Sequence, residues 1–338
     1  MNIFKGNRKI QLYDLDSDPR EQTDVARYHP EIVKRMEDIM KLVENEFIKF
    51  MEKFDENPFR IILEDGEHLI GDGEPAFTVK INKIPKMMDM LTSTSITLGE
   101  AYMNGDIEIE GDLYTALNMF LGQMGKFSTD TKKLKNIIFT SKSKANQKKE
   151  VSSHYDIGND FYKMWLDETM SYSCGYFKNE NDTLYQAQCN KVDRILEKLN
   201  LSDGMTLCDI GCGWGFLLIE AAKKYNIKGV GITLSKEQKA KFEQRIKEEN
   251  LSDRLEVKLL DYRDLPKQHM EFDRVVSVGM IEHVGRGNYE EFMQCVKSVL
   301  KQGGVFVLHF ISALKEYPGD AWVKKYIFPG GVYQVSER

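Results

Sequence analysis

Apolar positions at spacings of three and four mark the first regular element of the chain. Ile32, Met36, Ile39, Met40, Val43, Phe47, Phe50, Met51 and Phe54 repeat in this way, which predicts an amphipathic helix over 31–54 with Pro58 beyond its end. Residues 59–81 alternate in strand fashion around Glu64-Asp65-Gly66 and Gly71-Asp72-Gly73, where turn residues cluster. Another helix is predicted near 113–124. After residue 150, strand candidates at 206–210, 228–232, 255–259, 273–278 and 304–310 alternate with helical stretches at 186–199, 215–225, 235–249 and 288–300. This alternation predicts an α/β fold, a doubly wound and mostly parallel sheet, preceded by a small α+β domain. Ligands of such sheets bind at the carboxyl ends of the strands.

Composition narrows the class. With 41% hydrophobic and 30% charged residues, the 338-residue chain reads as a globular protein of about two domains. No run approaches the roughly 20 apolar residues that span a bilayer, and the N-terminus lacks a secretory apolar region, so a cytoplasmic location is expected. A net charge of -6 argues against a nucleic-acid binder. Cys174, Cys189, Cys208, Cys212 and Cys295 show neither CxxC nor Cys/His zinc spacing, so neither a disulfide framework nor a bound metal is expected. Between Lys126 and Lys149 there are eight lysines against one acid, Asp130. Residues 126–150 therefore read as a basic linker. It is either a solvated hinge or a polybasic segment against an anionic membrane, where each lysine contributes about 1 kcal/mol.

Candidate chemistry concentrates in the second half. Asp209-Ile-Gly211-Cys-Gly213-Trp-Gly215 follows a strand and opens a helix, where close glycines let the backbone turn sharply towards a ligand. A GxGxxG dinucleotide loop is the rival. Its third glycine would come one residue later, and the second strand ends in Gly229-Val-Gly-Ile-Thr-Leu-Ser235 without the acid that grips an NAD ribose. The pattern D-x-G-x-G-x-G is similar to the first motif of class I S-adenosylmethionine (AdoMet)-dependent methyltransferases, which are Rossmann-like.

Further motifs occur in order. They are His154-Tyr-Asp-Ile-Gly-Asn-Asp-Phe161, Met170-Ser-Tyr-Ser-Cys-Gly-Tyr-Phe177, Gly231-Ile-Thr-Leu-Ser-Lys-Glu-Gln238, Asp261-Tyr-Arg-Asp264, Val278-Gly-Met-Ile-Glu-His-Val-Gly285, His309 and Ile327-Phe-Pro-Gly-Gly331. Together they resemble the cyclopropane-fatty-acyl-phospholipid synthases and their relatives, the mycolic acid cyclopropane synthases. Leu98-Gly-Glu-Ala-Tyr-Met-Asn-Gly-Asp106 resembles that family's lipid-binding N-terminal domain, placed at 42–125, with the methyltransferase domain at 151–338.

The resemblance implies AdoMet-dependent addition of a methylene carbon to the cis double bond of a phospholipid acyl chain, closing a cyclopropane ring. It implies a cofactor site made of Tyr172, Ser173, Asp209, Gly211, Cys212, Gly213, Thr233, Leu234, Ser235, Lys236, Glu237, Gln238, Tyr262 and Arg263. It further implies a bound bicarbonate as base, held by Cys174, Glu282, His309 and the backbone of Ile311. An alkene is a poor nucleophile, so the site must align the methyl group, exclude water and tolerate a carbocation. Aromatic faces attract cations, and Tyr172, Tyr176, Phe177 and Trp214 are candidates for that task. Cys189, Cys208 and Cys295 read as small core hydrophobes. The implied partner is an unsaturated phospholipid in the inner membrane surface, contacted peripherally; no nucleic acid is implied, and a homodimer fits.

Both ends depart from the family pattern. The chain turns to Val332-Tyr-Gln-Val-Ser-Glu-Arg338 where relatives continue, and the resemblance places in that continuation a tyrosine of the bicarbonate site. Neither Tyr317 nor Tyr326 stands in its place in the motif order. Residues 1–41, through Leu12-Tyr-Asp-Leu-Asp-Ser-Asp-Pro-Arg-Glu-Gln22 and His29-Pro-Glu-Ile32, resemble a sulfatase C-terminal tail. The departures leave two other readings: a methyltransferase of the same family that closes no ring, or a truncated AdoMet- or lipid-binding protein without activity.

Overall fold

The computed structural model describes residues 2–6, 9–13, 24–64, 66–123, 158–313, 320–328 and 334–335. The basic segment 126–150, the start of the His154 motif, Tyr317 and Pro329-Gly-Gly331 lie outside the described residues. The chain divides into two compact units, residues 1–135 and 136–338, a division that falls within 126–150.

In the first unit, β1 (Asn2–Gly6) and β2 (Lys9–Tyr13) form an antiparallel hairpin that the sequence pattern does not predict. Helix α1 (Pro30–Met51) begins with proline in its first turn, where a missing N–H costs nothing. It runs unbroken through the boundary set at residues 41–42, so no structural break separates the sulfatase-like stretch from the rest of the helix. Its apolar stripe is buried only towards the end. Phe47, Phe50 and Met51 enter the core, whereas Ile39 and Val43 stay exposed.

Strands β3 (Phe59–Leu63), β4 (Gly66–Ile70) and β5 (Phe77–Ile81) fall within the predicted 59–81 region. Phe59, Ile61 and Leu63 point to the core alternately, as the period-two pattern requires. Three further elements have no counterpart in the sequence pattern: α2 (Met87–Thr92), α3 (Thr94–Met103) and β6 (Ile107–Gly111). Helix α4 (Leu113–Gly122) starts at Asp112, whose carboxylate accepts from the amides of Tyr114 and Thr115. The four strands order as β4-β3-β5-β6, with β3 and β5 parallel and both outer pairs antiparallel.

The second unit opens with α5 (Asn159–Lys163) and α6 (Leu184–Leu199), the latter begun by a capping box between Thr183 and Gln186. Then β7 (Thr206–Ile210), α7 (Phe216–Tyr225), β8 (Lys228–Thr233), α8 (Lys236–Glu248) and β9 (Leu255–Leu259) alternate. The chain continues through β10 (Phe272–Val278), α9 (Ile281–Val284), α10 (Tyr289–Val299), β11 (Leu300–His309) and α11 (Ala321–Tyr326). All five strands are parallel and ordered β11-β10-β7-β8-β9.

Alternate residues of this sheet enter different cores. Leu207 and Val276 pack with α6, α7 and α8, while Cys208, Ile210 and Val275 pack with α9 and α10. Helices thus cover both faces. The chain leaves β7 towards β8 on one side and later returns to place β10 on the other. The point of reversal therefore lies between β7 and β10, where open α/β sheets bind ligands. Among the described residues, no helix is long and apolar enough to cross a membrane.

Candidate active site

A cleft of about 1130 Å³, including its open mouth, lies at the carboxyl ends of β7, β8 and β10. Its floor is the glycine-rich turn after β7, where the amides of Gly211 and Cys212 both donate to the Ile232 carbonyl at 3.0 and 3.1 Å. These bonds tie the turn to β8 and fix its backbone. Trp214 is buried, and its indole N–H donates to Asn159 Oδ1 at 2.6 Å, which anchors α5. Arg245 braces the same turn from α8, donating to the carbonyls of Trp214 and Thr169.

Most expected cofactor residues line this cleft: Tyr172, Ser173, Asp209, Gly211, Cys212, Gly213, Thr233, Leu234, Gln238, Tyr262 and Arg263. Ser235, Lys236 and Glu237 do not. Ser235 is the fully buried N-cap of α8 and accepts from the Gln238 amide at 3.2 Å. Lys236 points outward, and Glu237 accepts from Asn159 Nδ2. Of the three helical positions Lys236, Glu237 and Gln238, only Gln238 is buried and lines the cleft. There it meets the Thr233 hydroxyl, which donates to Gln238 Oε1 at 2.7 Å.

Two buried polar atoms at this cleft lack partners among the described residues: Asp209 Oδ1 and the Tyr262 hydroxyl. Burial pushes the Tyr262 hydroxyl up to about 12 and the Asp209 carboxyl up to about 7. Below its ordinary value of 3.8 Asp209 is neutral folded or unfolded, and between 3.8 and about 7 the folded state binds the extra proton. Stability contributed by this group therefore falls as pH rises through that window, at about 1.4 kcal/mol per unit of pKa difference. Asp209→Asn is expected to gain a few kcal/mol over wild type between pH ~4 and pH ~8 in ligand-free protein. Urea denaturation at both pH values checks this, and parallel stability curves would refute it.

The four residues expected around the base form two pairs, and none of the four lines the cleft itself. Cys174 Sγ lies 3.7 Å from His309 Nε2, and the Ile311 amide donates to Glu282 Oε1 at 2.7 Å. His309 is the last residue of β11, in register with Val278 at the end of β10, and its carbonyl accepts from the Gly279 amide. Gly279 lines the cleft, so the two pairs sit at its edge. His309 Nδ1 and Glu282 Oε2 are buried without hydrogen-bond partners among the described residues. Burial, with the positive charges of Lys191 and Lys198, lowers His309 from its ordinary 6.5, which favours the neutral ring.

The aromatic candidates separate. Tyr172 and Trp214 line the cleft, and Tyr172 packs against Tyr162, Trp165 and Phe328. Tyr176 does not line it and has the Arg194 guanidinium over its ring at 4.7 Å, and Phe177 is exposed outside the cleft. Cys208 and Cys295 are buried, and Cys189 is half-buried. Sequence reasoning missed Gln188 and Lys191 of α6, which hold the Ser173 segment. The signal for them was a polar pair three residues apart on the buried face of an amphipathic helix.

A family model described as mycolic acid cyclopropane synthetase matches residues 142–338, more than half of the chain. This chain belongs to that family. A domain of unknown function matches residues 47–132. The chain is 38% identical over 292 residues to a probable fatty acid methyltransferase of Pseudomonas putida, covering 81% of this chain and 71% of that protein. It is 37% identical over 286 residues to the cyclopropane-fatty-acyl-phospholipid synthase of Escherichia coli K12, covering 82% and 72%. Among solved structures, mycolic acid cyclopropane synthase CmaA1 complexed with SAH and CTAB matches with a TM-score of 0.51 and 35% identity. That match covers 56% of this chain and 70% of the other. The family member is thus an enzyme of the AdoMet-dependent methyltransferase class, with the class I fold at residues 206–309.

Proposed function

We propose that the chain adds a methylene carbon to the cis double bond of unsaturated phospholipid acyl chains, closing a cyclopropane ring, with AdoMet as donor and bicarbonate as base. The observation that carries this reading is the pairing of Cys174 with His309 and of Glu282 with Ile311 at the edge of the glycine-floored cleft. The residues suit both small molecules. At Gly213 a Cβ would meet only open space, and Asp209 and Tyr262 hold unpartnered polar atoms beside it. At the edge, His309 Nδ1 and Glu282 Oε2 are the buried unpartnered atoms that a small oxyanion with a hydroxyl satisfies.

When bound, AdoMet supplies an electrophilic methyl carbon and bicarbonate supplies a proton acceptor. Gly211, Cys212, Gly213, Thr233, Gln238, Tyr262 and Arg263 would hold the former, and Cys174, Glu282, His309 and the Ile311 amide the latter. Ile311 presents its amide to an anion only when its bond to Glu282 opens. Tyr172 and Trp214 exclude water and face the developing positive charge. A Glu282 carboxylate oxygen would accept a hydrogen bond from the bicarbonate hydroxyl, and His309 would orient the anion and relay its proton. Membrane contact is peripheral in this reading, with the lysines of 126–150 drawn to anionic lipid.

Lipid extracted from bacteria expressing the chain tests the proposal. Cyclopropane acyl chains are expected to replace unsaturated ones. Methyl-branched chains would favour transfer without ring closure, and an unchanged profile would contradict both.

A further inference from the structure

The cleft contains a buried positive charge that the proposed chemistry leaves without a task. Lys191 lies on the inward face of α6 beside Gln188, Val192 and Ile195, with only 5% of its surface exposed. Its ammonium donates to Ser173 Oγ at 2.7 Å and to Gln188 Oε1 at 2.5 Å. Gln188 in turn donates from Nε2 to the Ser173 carbonyl at 2.8 Å. Both acceptors of Lys191 are neutral, and no carboxylate joins them among the described residues.

An ammonium carries three N–H groups, so one remains after these two bonds, and Lys191 lines the cleft. Lysines are almost never buried this deeply without an opposite charge. A partnered anion offsets the cost of desolvating the charge, whereas neutral acceptors offset it only in part. Bracing Ser173 alone would require only a neutral donor. An uncompensated ammonium would also oppose the sulfonium of a bound AdoMet, a conflict that an anion on Lys191 removes.

We propose that Lys191 is the counter-charge for a planar oxyanion bound in the cleft, and so a positioning residue for the transfer. This rests on the cofactor reading above. A carboxylate and bicarbonate share this chemistry, and the location suits either. Ser173 leads into Cys174, which lies against His309, while Ser173 itself lines the cleft beside Tyr172. Burial lowers Lys191 only to about 8, so it remains mostly charged at pH 7. Cys174 and Asp167 favour its charged form, and its charge helps to hold His309 low.

The test compares Lys191→Met and Lys191→Arg with wild type, using calorimetry with S-adenosylhomocysteine and with 5′-methylthioadenosine. The second ligand keeps the nucleoside and lacks the amino-acid carboxylate. Line broadening of carbon-13-labelled bicarbonate reports the smaller anion. Met fills the lysine stem but leaves Ser173 Oγ and Gln188 Oε1 without their donor, so the unfolding midpoint of each variant is measured alongside to confirm that it is folded. If the anion is the carboxylate, Lys191→Met loses about tenfold to a hundredfold in S-adenosylhomocysteine affinity while 5′-methylthioadenosine is unaffected. If it is bicarbonate, both nucleosides bind as before and the bicarbonate broadening disappears. In either case Lys191→Arg retains more binding than Lys191→Met. Equal loss for both nucleosides, or no change with any ligand, would overturn the proposal. Wild-type protein that binds neither nucleoside would overturn the cofactor reading itself.

Discussion

Glu282→Gln is expected to reduce turnover by about a hundredfold to ten-thousandfold, the range for loss of a positioned acid–base group. Affinity for S-adenosylhomocysteine should stay nearly unchanged. Glu282 does not line the cleft floored by Gly211 and Gly213, and its contact in the structure is the Ile311 amide. Glutamine has nearly the same shape and still presents an oxygen to that amide. It places an N–H2 group where Glu282 Oε2 is buried and unpartnered, so it donates where the carboxylate accepts. Calorimetry and single-turnover rates on the same preparation separate the two effects. Parallel loss of binding and turnover would show that Glu282 shapes the cleft rather than handling a proton.

The second large effect lies in the glycine turn, where Gly213 and Gly215, separated only by Trp214, should respond in different ways. Gly215 has φ +83, and a Cβ there would overlap the ring of Phe242, which is fully buried. Gly215→Ala therefore combines left-handed strain with overpacking, together about 2–5 kcal/mol, a large share of an ordinary domain's stability. Gly213 has φ +54 but its Cβ would meet nothing within 4 Å. Gly213→Ala should cost only the backbone strain, about 1–2 kcal/mol, and keep the fold. Its methyl enters the cleft, so S-adenosylhomocysteine affinity should drop at least about tenfold. Urea denaturation and calorimetry on both variants check the contrast. A Gly215→Ala protein as stable as wild type would contradict the packing described around Phe242.

The parallel sheet was legible because its central strands β10, β7 and β8 are short, mostly buried apolar runs, and the edge strands β9 and β11 still carry apolar positions between helical stretches. The five predicted strands match the observed ones to within a few residues, the largest difference being the start of β11 at Leu300. The first unit was less legible. Helix α3 mixes threonines with apolar residues and shows no strong stripe, and β6 is a five-residue Ile-Glu alternation. Both exist through packing against β5 and its neighbours rather than through local preference.

At the site, motif order indicated which loops meet, and the structure brings Cys174 to His309 and Glu282 to Ile311. Side-chain direction within a loop was not readable. Thr233 to Gln238 form one contiguous motif, yet Ser235 is used as a helix cap and Lys236 faces solvent. Tyr172 and Tyr176 are both aromatic, yet the Tyr176 amide bonds to Ala187 on α6 and its ring lies under Arg194. Lys191 was hidden because a lysine on a helix ordinarily reads as a solvated position.

The central claim, ring closure on a lipid double bond, is tested most directly by feeding methionine with a deuterated methyl group to cells that express the chain. Ring closure requires that one hydrogen of the transferred methyl be lost to the base. Mass spectrometry of the extracted phospholipids should therefore show saturated, cyclopropane-bearing acyl chains that keep two deuterons on the added carbon. Acyl chains that keep all three, as a methyl branch, would contradict the account.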